Sequence, residues 1–194
     1  MGALARDFEQ IAYIVSRLPQ IHFYICKGRE NIDYLFSGLK NATLVGYVPE
    51  AELKHYMNDS DISLNVMKDT IGSNVICTTM ATGLAMVVSD VGSIRDYCDE
   101  TNACFCSSPD DFIKNIMILA NDRELLNSLK KMSLKKAIKR YIYKFLQHSL
   151  KNDFSLHDLL LLCNALRKLT LNVSLLVLVH HVGKKIKRQL TRNK

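Results

Sequence analysis

The chain has 194 residues, 48% of them apolar and 23% charged. That usage belongs to a globular protein with a sizeable core and excludes a disordered or low-complexity chain. The formal charge of +7 is unevenly spread: residues 151–194 hold nine basic and two acidic side chains, whereas residues 1–150 hold 17 of each. A neutral body lacks the basic face that a nucleic-acid-binding domain presents, so nucleic acid is not an expected partner.

In chain order, Leu4, Phe8, Ile11, Ala12, Ile14, Val15 and Leu18 recur at helical spacing along one face, and Pro19 stops that helix. Ile21 to Cys26 is short and rich in β-formers, a buried strand, and Lys27-Gly28-Arg29 is a turn. A short helix covers 31–38, and Ala42 to Gly46 is a second strand. Pro49 and two acids open a helix that runs to about Met57. Asp61 to Val66 is a third strand, followed by a loop and a helix from Ser73 to about Thr82, capped by Ser73 and ended by Gly83. Ala85 to Val88 is a fourth strand, apolar throughout and therefore buried on both faces. Val91 to Ile94 turns, Ala103 to Cys106 is a fifth strand, and helices are expected over 109–121, 122–132 and 134–150.

Strands alternating with helices imply an α/β fold: a Rossmann-like parallel sheet with helices on both faces, plus a C-terminal helical extension. The expected domains are 1–150, with its first strand missing, and an apolar and basic helical tail over 151–194. Ligands on such sheets bind beyond the carboxyl ends of the strands, so the loops after Cys26, Gly46, Val66 and Val88 are expected to share one edge.

Asp69-Thr70-Ile71-Gly72-Ser73 lies at that edge and opens a helix. Free N–H groups and the helix dipole make such a terminus an anion site, and Gly72 admits a phosphate close to the backbone. Val75, Ile76, Thr79, Met80 and Gly83 share the face suited to packing on the sheet, whereas Asn74 and Thr78, four apart, share another. On spacing alone this pattern fits a plain capped helix as well as a ligand site.

Ser73 to Gly92 resembles the donor-binding signature of retaining glycosyltransferases with the GT-B fold (glycosyl transferases group 1, family 4). That signature is a Glu, seven residues, Glu-Ala-Met-Ala-x-Gly-x-Pro-Val-Val, and a Ser/Thr-Asp-x-Gly-Gly turn. Asn41 to Pro49 with Leu53 and Tyr56 resembles the family's V-x-F-x-G-x-V-P segment, and Asp61-Ile62-Ser63-Leu64 its A-D-I-x-V strand. The likeness spans residues 8–147 in order and implies the C-terminal, donor-binding domain of an apparently truncated enzyme. Thr70 and Thr78 stand where the family keeps two glutamates, one on the donor sugar and one on the ribose, and Ala85 replaces the proline. By this resemblance the backbones of Gly72, Ser73, Asn74 and Val75 hold the diphosphate, Thr78 faces the ribose, and Tyr47 and Val48 lie near the base. Asp69 and Thr70 take the catalytic place, with Asp69 supplying the lost carboxylate or standing as a solvated loop acid. Arg6 and Lys27 are weak phosphate-binding candidates, expected to be ordinary surface charges.

The implied activity is hexosyl transfer from a nucleotide-diphosphate sugar to a glycan or lipid-linked acceptor in polysaccharide biosynthesis. The substrate partners are a nucleotide sugar and, because the family's N-terminal half is absent, a separate acceptor-binding domain or subunit. No cofactor and no metal are expected. The alternative class is a non-catalytic, degenerate nucleotide-binding module or partner subunit, which the missing glutamates favour for this chain.

The six cysteines form no Cys-x-x-Cys pair and have no His-x-x-x-His companion, which argues against zinc and for reduced thiols in a cytosolic protein. Met1 to Asp7 lacks the apolar stretch of a signal peptide, and Arg6 stands where myristoylation requires Ser or Thr. His22 and His55 have no Ser/Asp or Cys companion nearby in sequence. The apolar run Leu175 to Val179 is too short to span a bilayer. Flanked by Lys184-Lys185-Ile186-Lys187-Arg188, it suits contact with an anionic membrane surface, as does a helix packed on the domain. The expected location is cytoplasmic, with peripheral contact at the inner membrane face as an option.

Overall fold

The computed structural model describes residues 6–69 and 74–151, with side chains to Arg140. The chain divides into two compact units, Met1–Tyr141 and Ile142–Lys194. The first unit carries the fold considered below, and the apolar and basic tail lies outside the described residues.

Helix α1 spans Phe8–Arg17 and begins where Asp7 accepts a bond from the Gln10 N–H at 3.0 Å. This start is four residues later than the apolar spacing implies. Arg6 is instead bridged to Met67, and the Asp7 N–H donates to the Val66 carbonyl. A capping carboxylate outweighs the hydrophobic pattern here because it satisfies an orphan N–H. Ile11, Ala12, Ile14 and Val15 are buried along one face.

Strand β1 (Phe23–Gly28) pairs in parallel with β2 (Ala42–Gly46), after a single turn of 3-10 helix over Asp33–Phe36. β1 therefore runs through Lys27-Gly28, which sequence reading assigns to a turn. Helix α2 is Glu50–Asn58, β3 is Ile62–Asn65, α3 is Asn74–Ala81 and β4 is Ala85–Ser89. A short 3-10 turn at Ile94–Asp96 leads to β5 (Ala103–Cys106) and α4 (Pro109–Asn121). α4 is closed by a full capping box: Ser108 receives the Asp111 N–H, and Asp111 receives the Ser108 N–H at 2.9 Å. The last helix, α5, is one element over Arg123–Lys151 rather than two. The expected break near 133 does not occur, because no Gly or Pro interrupts the run and Ser133 is buried with its hydroxyl on the Asn102 carbonyl.

Among the described residues all strand pairings are parallel, and the strands form two sheets, β1-β2 and β3-β4-β5. β4 is buried along its whole length. Its side chains alternate between two cores, as a period of two requires. Ala85 and Val87 join α1 and α4 through Ile14, Val15, Phe112 and Ile116, whereas Met86 and Val88 join α3 through Ile76 and Met80. Helices therefore cover both faces of the β4 sheet, and the carboxyl ends of its strands are left to bind.

Helix α5 is tied to that sheet by charge. Lys130 bonds Asp61 at 2.7 Å, Arg123 lies 3.6 Å from the same carboxylate, and Lys136 pairs with Asp99. The Lys130 hydrogen bond holds the Asp61 carboxyl below its usual range, and Lys136 with Thr101 brings Asp99 to about 2. A carboxylate whose folded pKa is depressed stabilises the fold above its unfolded pKa and loses that contribution as pH falls through the folded value. The urea midpoint is accordingly expected to drop between pH 4 and pH 2, modestly because both pairs are solvent-exposed. Asp61→Asn combined with Asp99→Asn should flatten that drop, as followed by circular dichroism; an unchanged acid slope would contradict the assignment.

Candidate functional site

Because β1 pairs with β2 in parallel and β3 with β4, the carboxyl ends of each pair share one edge of their own sheet. β1 and β2 end on Gly28 and Gly46. Gly28 has φ 63°, a left-handed value that lets the chain turn away there. Arg29 follows and stacks over the Tyr47 ring, 4.7 Å from its centroid, and Tyr47 is 74% exposed. A cation and an open aromatic face thus stand together just beyond β1 and β2. Val48 beside them is half-buried. Tyr47 is a position singled out from the sequence and Arg29 is not, although a basic residue directly after a strand that ends in Gly is a readable signal.

β3 runs out through Val66 and Met67 to Lys68 and Asp69, both exposed. The Met67 N–H donates to Ser89 Oγ at 2.9 Å, which ties the exit of β3 to the end of β4. Lys68 reaches toward Asp7 at 3.9 Å. Thr70, Ile71, Gly72 and Ser73 lie outside the described residues, and with them the proposed cap and most of the phosphate cradle.

Helix α3 begins at Asn74. Ile76, Thr79 and Met80 are buried and seat it on the sheet, as the spacing implies. Thr79 Oγ1 lies 3.1 Å from Ser63 Oγ, which in turn receives Asn65 Nδ2 at 3.0 Å. This buried polar chain fixes α3 to β3 and so fixes the direction of its N-terminus. Asn74 is exposed on the opposite side, and Thr78 donates its hydroxyl to the Asn74 carbonyl at 2.7 Å. The Thr78 proton is thereby used inside the helix, leaving its oxygen lone pairs to meet a ligand. Val75 is half-buried and borders a cavity beside β3.

The turn after β4 is held from within. Arg95 grips Asp90 with two bonds of 2.8 Å, reaches Glu100 at 2.8 Å and lies over the Phe105 ring. These bonds hold the Asp90 carboxyl below its usual range. Asp90 thus braces the turn through Arg95. Lys27 is likewise engaged, at 2.5 Å from Asp33. Arg6 is not an ordinary surface charge: it is half-buried, and burial pulls its guanidinium below its usual value.

The comparisons with known proteins fit this architecture. The family model described as Glycosyl transferases group 1 matches residues 3–122. The chain belongs to that family. No curated protein matches it. Among solved structures, sucrose-phosphate synthase from Thermosynechococcus elongatus aligns at 16% identity with a TM-score of 0.62, over 75% of this chain and 43% of that one. TarM aligns at 14% identity with a TM-score of 0.60, over 75% of this chain and 32% of that one. The pneumococcal O-GlcNAc transferase GtfA, solved with UDP and GlcNAc, aligns at 15% identity and TM-score 0.53, over 74% of this chain and 32% of that one. Identities this low show a shared GT-B, Rossmann-like fold. The chain spans less than half the length of each of these structures.

Proposed function

We propose that this group 1 chain is the donor-binding half of a glycosyltransferase and takes a nucleotide-diphosphate sugar at the N-terminus of α3. The observation that carries this reading is the placement of that helix. The Asn65–Ser63–Thr79 chain seats it on β3, so that its N-terminus follows the carboxyl end of that strand, the kind of helix start that receives an anion. GtfA, of the same fold, was solved with UDP and GlcNAc, which supports a uridine or related diphosphate as the ligand class. In this arrangement Tyr47 stacks on the base, the backbone of Gly72 to Val75 receives the diphosphate, and Asn74 and Thr78 face the ribose. Asp69, exposed at the exit of β3, supplies a carboxylate to the sugar beside Thr70. The acceptor is polysaccharide- or lipid-linked and is held by a separate domain or subunit, with peripheral membrane contact through the tail. The donor chemistry described needs no metal or further cofactor. Among the described residues no helix is long and apolar enough to cross a membrane.

Asp69→Asn separates sugar recognition from nucleotide binding. If the carboxylate holds a sugar hydroxyl, affinity for a UDP-sugar should fall about tenfold, the weight of one charge-assisted hydrogen bond, while affinity for UDP stays unchanged. Equal affinities of the variant and the parent for the UDP-sugar in a titration would remove Asp69 from the site.

A further inference from the structure

Arg29 is exposed and is followed by the exposed acid Glu30, yet its guanidinium lies over the Tyr47 ring. The backbone sets this pairing. Gly28 and Gly46 are register partners at the ends of β1 and β2, so Arg29 and Tyr47 each stand one step beyond a shared rung. The left-handed Gly28 and the Glu30 N–H, which donates to the Lys27 carbonyl at 3.2 Å, close a turn there. The Lys27–Asp33 ion pair pins the base of that turn. Arg29 is thus presented by a braced loop rather than a loose one.

Tyr47 keeps 74% of its surface open although Arg29 covers one face of its ring. That much exposure leaves the opposite face free. A ring backed by a guanidinium loses rotamer freedom before any ligand arrives, so less ordering is left to be done on binding.

This platform stands at the edge where α3 begins. Arg6 bridges Met67 at the exit of β3. Burial pushes the Cys26 thiol of β1 up, and the nearby Arg6 charge acts against that push. Cys26, Arg6 and Val75 in the first turn of α3 all border one cavity. The carboxyl ends of β1 and β3 therefore lie on either side of Arg6, and Arg29 stands three residues beyond Cys26. A flat, open aromatic face near a helix N-terminus suits a planar base joined to phosphate.

We propose that Arg29 is the positioning residue of the nucleobase subsite: it holds Tyr47 from behind, and the free face of the ring takes the base of a nucleoside diphosphate. This rests on the reading of the α3 N-terminus as the diphosphate site. Because Arg29 acts through the base alone, it favours a nucleotide-linked sugar over a sugar that carries only phosphate.

Isothermal titration of the full chain with UDP, GDP and inorganic pyrophosphate tests the proposal. Both side chains are exposed, so their variants should keep the parent's circular dichroism. Arg29→Ala is expected to weaken the tighter-binding nucleotide about threefold to tenfold and to leave pyrophosphate within about twofold. Arg29→Lys returns a cation to the ring and should recover part of that loss. Tyr47→Phe keeps the backed ring and should stay within about twofold of the parent. In a Tyr47→Ala background, Arg29→Ala should change nucleotide affinity by no more than about twofold, because the two residues act as one unit. An equal loss for nucleotide and pyrophosphate would make Arg29 a phosphate-binding charge and overturns the proposal. Unchanged nucleotide affinity in Arg29→Ala overturns it too, as does a full Arg29→Ala loss in the Tyr47→Ala background. Each of those three results leaves the diphosphate site standing. Failure of the parent chain to bind either nucleotide or pyrophosphate removes the α3 site itself, and this proposal with it.

Discussion

Replacing Phe112 by alanine is expected to cost about 3–5 kcal/mol and to leave the chain largely unfolded at moderate urea. Phe112 is 1% exposed and is among the largest fully buried side chains. It stands one turn into α4, directly after the capping box, and belongs to the core that joins α1, α4 and the Ala85–Val87 face of β4. Truncation removes a ring from that junction, and the cavity cannot collapse because Ile14, Val15, Ile116 and Leu119 are each held by their own helix. The cost therefore includes the lost transfer energy and the void. Urea unfolding followed by circular dichroism measures it. Tyr34→Ala makes the matched control: Tyr34 is 70% exposed, and its loss should stay within about 0.5 kcal/mol. Similar costs for the two variants would contradict the placement of the core.

Asn41 is the second sensitive position. Its side-chain nitrogen lies 3.0 Å from the Val15 carbonyl, 3.0 Å from that of Leu18 and 3.1 Å from that of Ile21. Those carbonyls end α1 and lead into β1, where backbone acceptors lack their regular helical donors; the Val15 and Leu18 carbonyls also accept the Leu18 and Ile21 N–H groups. Two amide protons serve three acceptors, so one bond is shared. The Asn41 carbonyl meanwhile receives the Phe23 N–H at 2.8 Å and opens the β1–β2 ladder. One side chain thus fastens a helix end, a turn and a strand start. Asn41→Ala is expected to cost about 1–3 kcal/mol, the loss of the side-chain donor, although the Val15 and Leu18 carbonyls keep the Leu18 and Ile21 N–H groups. Asn41→Asp should cost more at neutral pH, because a carboxylate would face the same three carbonyls. Its pKa in the folded state would then lie above the unfolded value, so the deficit relative to Asn41→Ala should shrink as pH falls below about 4. A deficit independent of pH would show that the side chain points elsewhere.

Much of the fold was legible because its signals are local. The bounds of β2, β5 and α4 match the sequence reading, since short apolar runs between turn residues and Pro109 with its acids mark them directly. Apolar residues at every position of β4 announced a strand buried on both faces. The misses were tertiary. Nothing in the local pattern of α1 shows that Arg6 and Asp7 are tied to the exit of β3, and nothing near Ser133 shows that a carbonyl of Asn102 holds it mid-helix. Parallel strands were expected in one sheet; among the described residues they form two, β1-β2 and β3-β4-β5, which no local pattern encodes.

The site was legible in part for the same reason. Helical spacing placed Asn74 and Thr78 on the exposed face of α3 and Ile76, Thr79 and Met80 on the buried one. The pairing of Arg29 with Tyr47 escaped, because it joins the ends of two strands. The internal bond that occupies the Thr78 proton also escaped, although a threonine four residues into a helix commonly makes it. These details sharpen the chemistry of the departures from the family's signature. In the proposed donor site, a threonine already bonded to its own helix would offer a ribose only acceptor lone pairs, so the diphosphate cradle and the Tyr47 surface would carry most of the affinity.

That inference sets the most direct test. Isothermal titration of the full chain with UDP, GDP and ADP, each beside its monophosphate, compares the diphosphate contribution with that of the base. The expected result is saturable binding of at least one diphosphate, about tenfold or more tighter than its monophosphate, as a second phosphate on helix N–H groups would give. No heat with any of the three diphosphates at millimolar concentration, or equal affinity for diphosphate and monophosphate, would contradict a donor site at the N-terminus of α3.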